Sequence, residues 1–346
     1  MELTKSQSIS IRYVQAIGIL FVVMGHYPVK LFNLFTPYAF HMPLFFILGG
    51  VLYKKRNYAS LISRNIKKHG GYIFINYIII AFIMTVFNEI YSVPVSNLII
   101  NNSIFDTISY VLDRNFHNNT FFLVAWFLFA YMIVSIIAPI IFIIKNRVLL
   151  FSIIILIGYF SVNTLAIEYQ QSKIQSYNLI TQVLVGLMYY SIGYLLKDFL
   201  LSSKSVAGIL VAFFILIALH TNGKIAGMGM AWSSYSMGFW THLLVSVTCA
   251  YIIFNITNIA SSISDEVQLF SSIGKYSRSI MSYHLLSFLI IDLAFYYTGV
   301  YDIKKSGALN HYSDNRFYVI YISAGIIIPI TLGFLSSNAL RKIKFR

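Results

Sequence analysis

The chain has 346 residues, of which 58% are hydrophobic and only 10% charged, at a mean hydropathy of +0.75. A soluble domain carries about 25% charged residues, so the soluble classes are excluded and a polytopic membrane protein is the class that fits. The formal charge of +14 points to basic residues placed about a membrane rather than to nucleic acid. The single cysteine, Cys249, lies inside an apolar run, which excludes a disulfide framework and leaves a buried inert thiol.

A helix needs roughly 20 apolar residues to cross the hydrocarbon core. In chain order the sequence offers ten such segments: 10–28, 38–53, 71–91, 121–144, 148–166, 178–196, 205–220, 236–257, 273–299 and 316–338. The expected fold is therefore all-α, a polytopic transmembrane bundle of about ten membrane-spanning helices forming one domain over 1–346. The first run has no small-residue cleavage site behind it, so it is expected to persist as a helix. The second carries Gly49-Gly50 near its end, a place for a break. The stretch 92–120 is rich in Asn, Ser, Asp and Tyr, which fits a solvated loop or a small exterior cap. Trp232 and Trp240 are placed as interfacial belt aromatics.

Basic residues orient the bundle. With the N-terminus in the cytoplasm, 18 of the 25 Lys and Arg fall inside and 7 outside, Lys30 among the latter. Both termini are then cytoplasmic. The loop 54–70 is the densest basic stretch. A stop-transfer anchor touching anionic lipid accounts for it. So does an anion site, because Arg64, Lys67 and Lys68 are spaced i, i+3, i+4 and share a face if the segment is helical.

The first apolar run closes on Gly25-His26, and the second opens on Phe40-His41-Met42-Pro43 after a short turn holding Pro28, Asn33 and Pro37. Antiparallel helices joined so closely place His26 and His41 at similar depth. Ionisable groups inside a membrane are costly and by default mark a functional site. Arg12 begins the first helix on the inner side, and His26 follows 14 residues later, about 21 Å along the axis. His284 falls near mid-membrane with Asp292 two turns beyond, and Trp126 lies near the outer boundary. A lone helical histidine is more often a packed core residue, the reading given to His284, His242 and His220. Asp292 fits a carboxylate paired with a polar neighbour, and Trp126 fits a belt residue as well as a pocket wall. No H-E-x-x-H or other ligand spacing appears, so no metal is expected.

At these residues the chain resembles the membrane acyltransferase-3 family, in particular its sugar O-acetyltransferase branch. The resemblance rests on Ile17-Gly18-Ile19-Leu20-Phe21-Val22-Val23-Met24-Gly25-His26 and on Phe40-His41-Met42-Pro43-Leu44-Phe45-Phe46-Ile47-Leu48-Gly49-Gly50. Weaker matches are Trp126-Phe127-Leu128 and Gly274-Lys275-Tyr276-Ser277, with His284 behind them. The chain departs from the family in four places. It has Arg12 and Gln15 where the family has an Asp near a basic residue, and Gly49-Gly50 for a Ser-Gly pair. It has Arg64-x-x-Lys67 for an Arg-x-x-Arg linked to acyl-CoA, and Met281 for a Tyr.

The resemblance implies transfer of an acyl group, usually acetyl, from cytoplasmic acyl-CoA to a glycan hydroxyl at the membrane of a bacterial cell. Acetyl-CoA is then the donor substrate, with no permanently bound cofactor. The partners are a capsule, O-antigen or exopolysaccharide glycan and membrane lipid, and nucleic acid is not among them. Acyl-CoA phosphates fall to Arg12, Arg64, Lys67 and Lys68. His26 is the general base or a transient acyl carrier, His41 orients the thioester or His26, and Trp126 and His284 line the acceptor pocket. The rival classes are a transporter or flippase for a lipid-linked glycan and a membrane glycan polymerase. Transporters often carry inverted repeats with interrupted helices in matching halves, and the sequence shows neither.

Overall fold

The computed structural model describes residues 3–28, 36–93 and 104–344, with the side chains of 104 and 337–344 left aside. Lys30, Asn33, Arg346 and part of the expected exterior cap lie outside the described residues. In chain order the helices are α1 Lys5–His26, α2 His41–Val51, α3 Tyr58–Asn65, α4 Gly71–Tyr91, α5 Ile104–Asp113, α6 Ala125–Ile141, α7 Arg147–Phe160 and α8 Ala166–Ser172. Then come α9 Gln175–Leu195, α10 Lys197–Ser202, α11 Val206–Thr221, α12 Gly238–Ile263, α13 Gln268–Lys275, α14 Ser277–Tyr297 and α15 Tyr318–Lys344. No strand occurs among the described residues.

All ten expected segments fall on helices, and the protein is an all-α membrane helix bundle. Six helical stretches are long and apolar enough to cross a membrane: Lys5–His26, Tyr58–Tyr91, Arg147–Ser172, Gly238–Ile263, Ser277–Tyr297 and Asn315–Ser336. Three shorter apolar helices, α2, α6 and α11, join them. Two stretches are longer than the hydropathy pattern implies: a π-helical turn at Ile66–Gly70 carries the chain on where a loop is expected, and another at Ser161–Leu165 joins α7 to α8. Wide turns of this kind absorb an extra residue without breaking the backbone ladder.

The chain packs as two compact units, each built from separated stretches. The first comprises Met1–Val14, Leu34–Ile75 and Trp126–Glu266. Its centre is the crossing of α2 on α9. The helix does not break at Gly49-Gly50 but runs through them to Val51. These glycines serve approach instead: a Cβ on Gly50 would collide with the carbonyl of Tyr190, and one on Gly193 with the carbonyl of Ile47. Small residues let membrane helices come together backbone to backbone. Buried polar groups are matched in pairs, as where Ser10 donates to Asn258 at 2.6 Å and Asn258 donates to the carbonyls of Leu200 and Ser203.

The second unit comprises Gln15–Asn33, Asn76–Ala125 and Val267–Arg346. Here α14 packs along α15, and Gly325 leaves room for Phe288 and Val23. Tyr283 donates to Asn76, and Asn118 donates to Tyr77 at 2.6 Å, tying α4 and the segment after α5 into the unit. The chain after α14 folds back over Asp292 through Ser306, His311 and Tyr312.

Candidate functional site

His26 is the last residue of α1 and is buried. Its Nδ1 lies 2.8 Å from the carbonyl of Val22, one turn back. His284 of α14 is fully buried, with Nδ1 2.9 Å from the carbonyls of both Ile280 and Met281. The two rings meet edge to face, centroids 4.9 Å apart at 67°. A carbonyl oxygen only accepts, so in both residues the hydrogen sits on Nδ1 and the lone pair on Nε2. The helix backbone thus sets the tautomer of each ring.

A third imidazole belongs to the same unit. His311 stands in the segment after α14, fully buried at its side chain, with Nδ1 2.7 Å from Asp292 Oδ2. Asp292 accepts three more hydrogen bonds: Ser306 Oγ at 2.8 Å, the Tyr312 amide at 3.1 Å and Tyr321 Oη at 2.6 Å. Every partner is a donor, so the seat is built for a carboxylate. Tyr27 stacks on Tyr321 at 4.6 Å and donates to the Tyr312 carbonyl at 2.8 Å, fixing the loop that carries His311. Phe288 packs edge-on between His284 and His311, at 5.9 and 5.2 Å. His26, His284 and His311 interact electrostatically with one another. Nε2 of His284 and Nε2 of His311 are buried with no hydrogen-bond partner among the described residues.

His41 belongs to the other unit. It opens α2, is buried, and has Nδ1 2.5 Å from the Pro37 carbonyl and its ring 5.1 Å from Tyr38. The sequence pairs His26 with His41 through the connecting turn, whose residues 29–35 lie outside the described residues. His284 is an imidazole that packs on His26. Trp126 is 5% exposed against 43% for Trp232 and 61% for Trp240, and it packs on Phe127, so it is buried where the other two are exposed. His242 is structural: its Nε2 accepts the Met237 amide at the start of α12. Cys249 is a buried free thiol.

Arg64, Lys67 and Lys68 line one open basin of about 590 Å³ together with Ser60 and Ser63. Arg64 lies in the last turn of α3 and the lysines occupy the π-helical turn, and all three line the same basin. Arg12 does not line that basin. Its guanidinium pairs with Glu266 at 2.6 Å.

Ser306, His311 and Tyr321 are functional candidates that the sequence reading passes over. The signal was Asp292 itself: a carboxylate in an apolar helix demands donors, and Ser306 and His311 stand in the polar segment 298–317, with Tyr321 just beyond it on α15. Residues 8–334, nearly the whole chain, match the family model of the acyltransferase domain known as acyltransferase-3. The chain belongs to that family. Neither a curated protein nor a solved structure gives a match. The protein is thus a membrane acyltransferase, and the matched span covers most of both compact units.

Proposed function

We propose that this acyltransferase moves an acetyl group from cytoplasmic acetyl-CoA to a hydroxyl of a cell-surface or lipid-linked glycan, in a bacterial cytoplasmic membrane with both termini inside. His26 is the general base. Its Nε2 takes the hydroxyl proton as the sugar oxygen attacks the thioester carbonyl. The tetrahedral adduct collapses, the C–S bond breaks, and the proton leaves with the CoA thiolate, so the enzyme returns to its starting state. The basin at Arg64, Lys67 and Lys68 holds the donor's phosphates through charge-assisted contacts, with Arg12 contributing from the start of α1. His284, packed on His26, borders the acceptor.

The observation that carries this reading is the buried His26–His284 ring pair, with hydrogens on Nδ1 and lone pairs on Nε2. An imidazole in that state can take up a proton on Nε2. The test is release of free CoA by purified protein given acetyl-CoA and candidate glycans. Release that depends on the glycan and yields an O-acetylated product supports the reading. Movement of glycan across vesicles without acetyl transfer overturns it in favour of a flippase.

A further inference from the structure

The first compact unit holds a slot of about 440 Å³ among α2, α9, α10, α11 and α12. Its wall follows α11 from Gly208 to Ile215, about 10 Å of helix. On α12 it spans Val247 to Tyr251, and a Cβ on Gly208 would collide with the Tyr251 hydroxyl, which puts that hydroxyl at the Gly208 end. Thr248 and Tyr251 carry the polar atoms of a wall that is otherwise apolar. Val211 is 60% exposed and Phe199 52%, so the slot is open along one side.

Cations gather at the Gly208 end. Lys204 stands between Ser203 and Ser205, which donate to Asn255 Oδ1 at 2.7 and 2.9 Å. Asn258 donates to the carbonyls of Leu200 and Ser203, so the turn bearing Lys204 is fixed on α12. Lys197 opens α10, whose Phe199 and Leu200 belong to the wall. Arg147 donates to the carbonyl of Leu195, the residue before Leu196 of the wall. Asp198 is the acid beside them, and it forms no ion pair among the described residues.

We propose that this slot binds one anionic phospholipid, with an acyl chain along α11 and the headgroup phosphate at Lys204, Lys197 and Arg147. A narrow apolar slot parallel to a helix of a membrane bundle follows the direction of a lipid chain. A glycan laid there would leave its hydroxyls without partners. Basic pockets between membrane helices select anionic headgroups. A headgroup held by charge alone needs no slot, and a neutral lipid needs no cations.

The test is native mass spectrometry of delipidated full-length protein given dioleoyl phosphatidylglycerol or dioleoyl phosphatidylcholine. One phosphatidylglycerol should be retained per chain in preference to phosphatidylcholine. Lys197→Gln with Lys204→Gln should cut that preference roughly tenfold, and Ala212→Phe, which fills the slot, should lose the lipid. Equal retention of the two lipids by the unaltered protein overturns the proposal, as does a folded Ala212→Phe protein that keeps the lipid. Displacement by glycerophosphoglycerol, a headgroup without chains, would make this a surface anion site and also overturns it. A dimer that Ala212→Phe splits would assign the slot to a second copy instead. Should Ala212→Phe not fold, the lysine variant decides, and an unchanged preference there overturns the proposal.

Discussion

His26 and His284 stand edge to face at 4.9 Å although they come from opposite ends of the chain. Each donates from Nδ1 into the preceding turn of its own helix. The two rings therefore hold orientation independently, and removing one leaves the other's hydrogen bond intact.

That independence makes His26→Ala a clean experiment. The variant should fold and still bind acetyl-CoA, and its turnover should fall by roughly 10²–10⁴, the span of a positioned general base. His284→Ala should act through stability and acceptor binding instead, showing a raised KM for glycan. Steady-state kinetics on both variants decide it. A well-folded His26→Ala enzyme with near-normal transfer would pass the role of base to His41.

The helices were legible because apolar runs of membrane length leave little choice of structure, and Ile9–Tyr27 or Tyr318–Leu335 admits no other reading. The two π-helical turns were not, since nothing in the hydropathy of Ile66–Gly70 marks a widened turn. The histidine motif drew attention to His26. Following the chain leads from it to His41, and helices also meet side by side: α14 brings His284 against His26. The Asp292–His311 pair was hidden because the segment after α14 has no period from which to read a contact. Its clue was the cost of an acid in an apolar helix.

The α2–α9 crossing yields a stability prediction. A methyl on Gly50 or Gly193 meets a carbonyl oxygen of the facing helix, not a side chain that can turn away. Gly50→Ala should cost about 1–3 kcal/mol or more, the range for overpacking. Gly223→Ala, where the added Cβ meets nothing, tests turn strain alone at its φ of 66° and should cost less. Melting of the detergent-solubilised variants is the measurement, and equal losses at the two sites would refute close packing as the cause.

Acid should weaken the protein through His117. Burial pushes this imidazole down to about 4 from its ordinary value of 6.5. The unfolded chain therefore binds the proton first, and stability falls as pH drops from 6.5 toward 4, by at most about 1.4 kcal/mol per unit of pKa difference. Thermal melts at pH 7 and pH 5 should differ, and His117→Phe should narrow the difference. An unchanged gap in that variant would assign the acid sensitivity to other groups.

The cationic basin separates donor binding from chemistry. Arg64→Ala with Lys67→Ala removes two of the three charges lining it. Charge-assisted contacts contribute about 1.5–3 kcal/mol each, so the apparent KM for acetyl-CoA should rise tenfold or more with kcat little changed, because phosphate contacts act in ground and transition states alike. Arg12 offers an internal comparison. Its partner Glu266 competes for the guanidinium, and a solvent-exposed pair of this kind contributes only about 0–1 kcal/mol. Glu266→Gln should therefore leave stability almost unchanged and lower the KM for acetyl-CoA if Arg12 reaches the donor, whereas Arg12→Ala should raise it. Desulfo or dephospho analogues of CoA locate the contact: a loss of affinity that vanishes when the 3′-phosphate is absent places that phosphate in the basin. If Arg64→Ala with Lys67→Ala instead abolishes membrane insertion and spares donor affinity in the protein that remains, the basic stretch is an anchor facing anionic lipid, and the donor enters elsewhere.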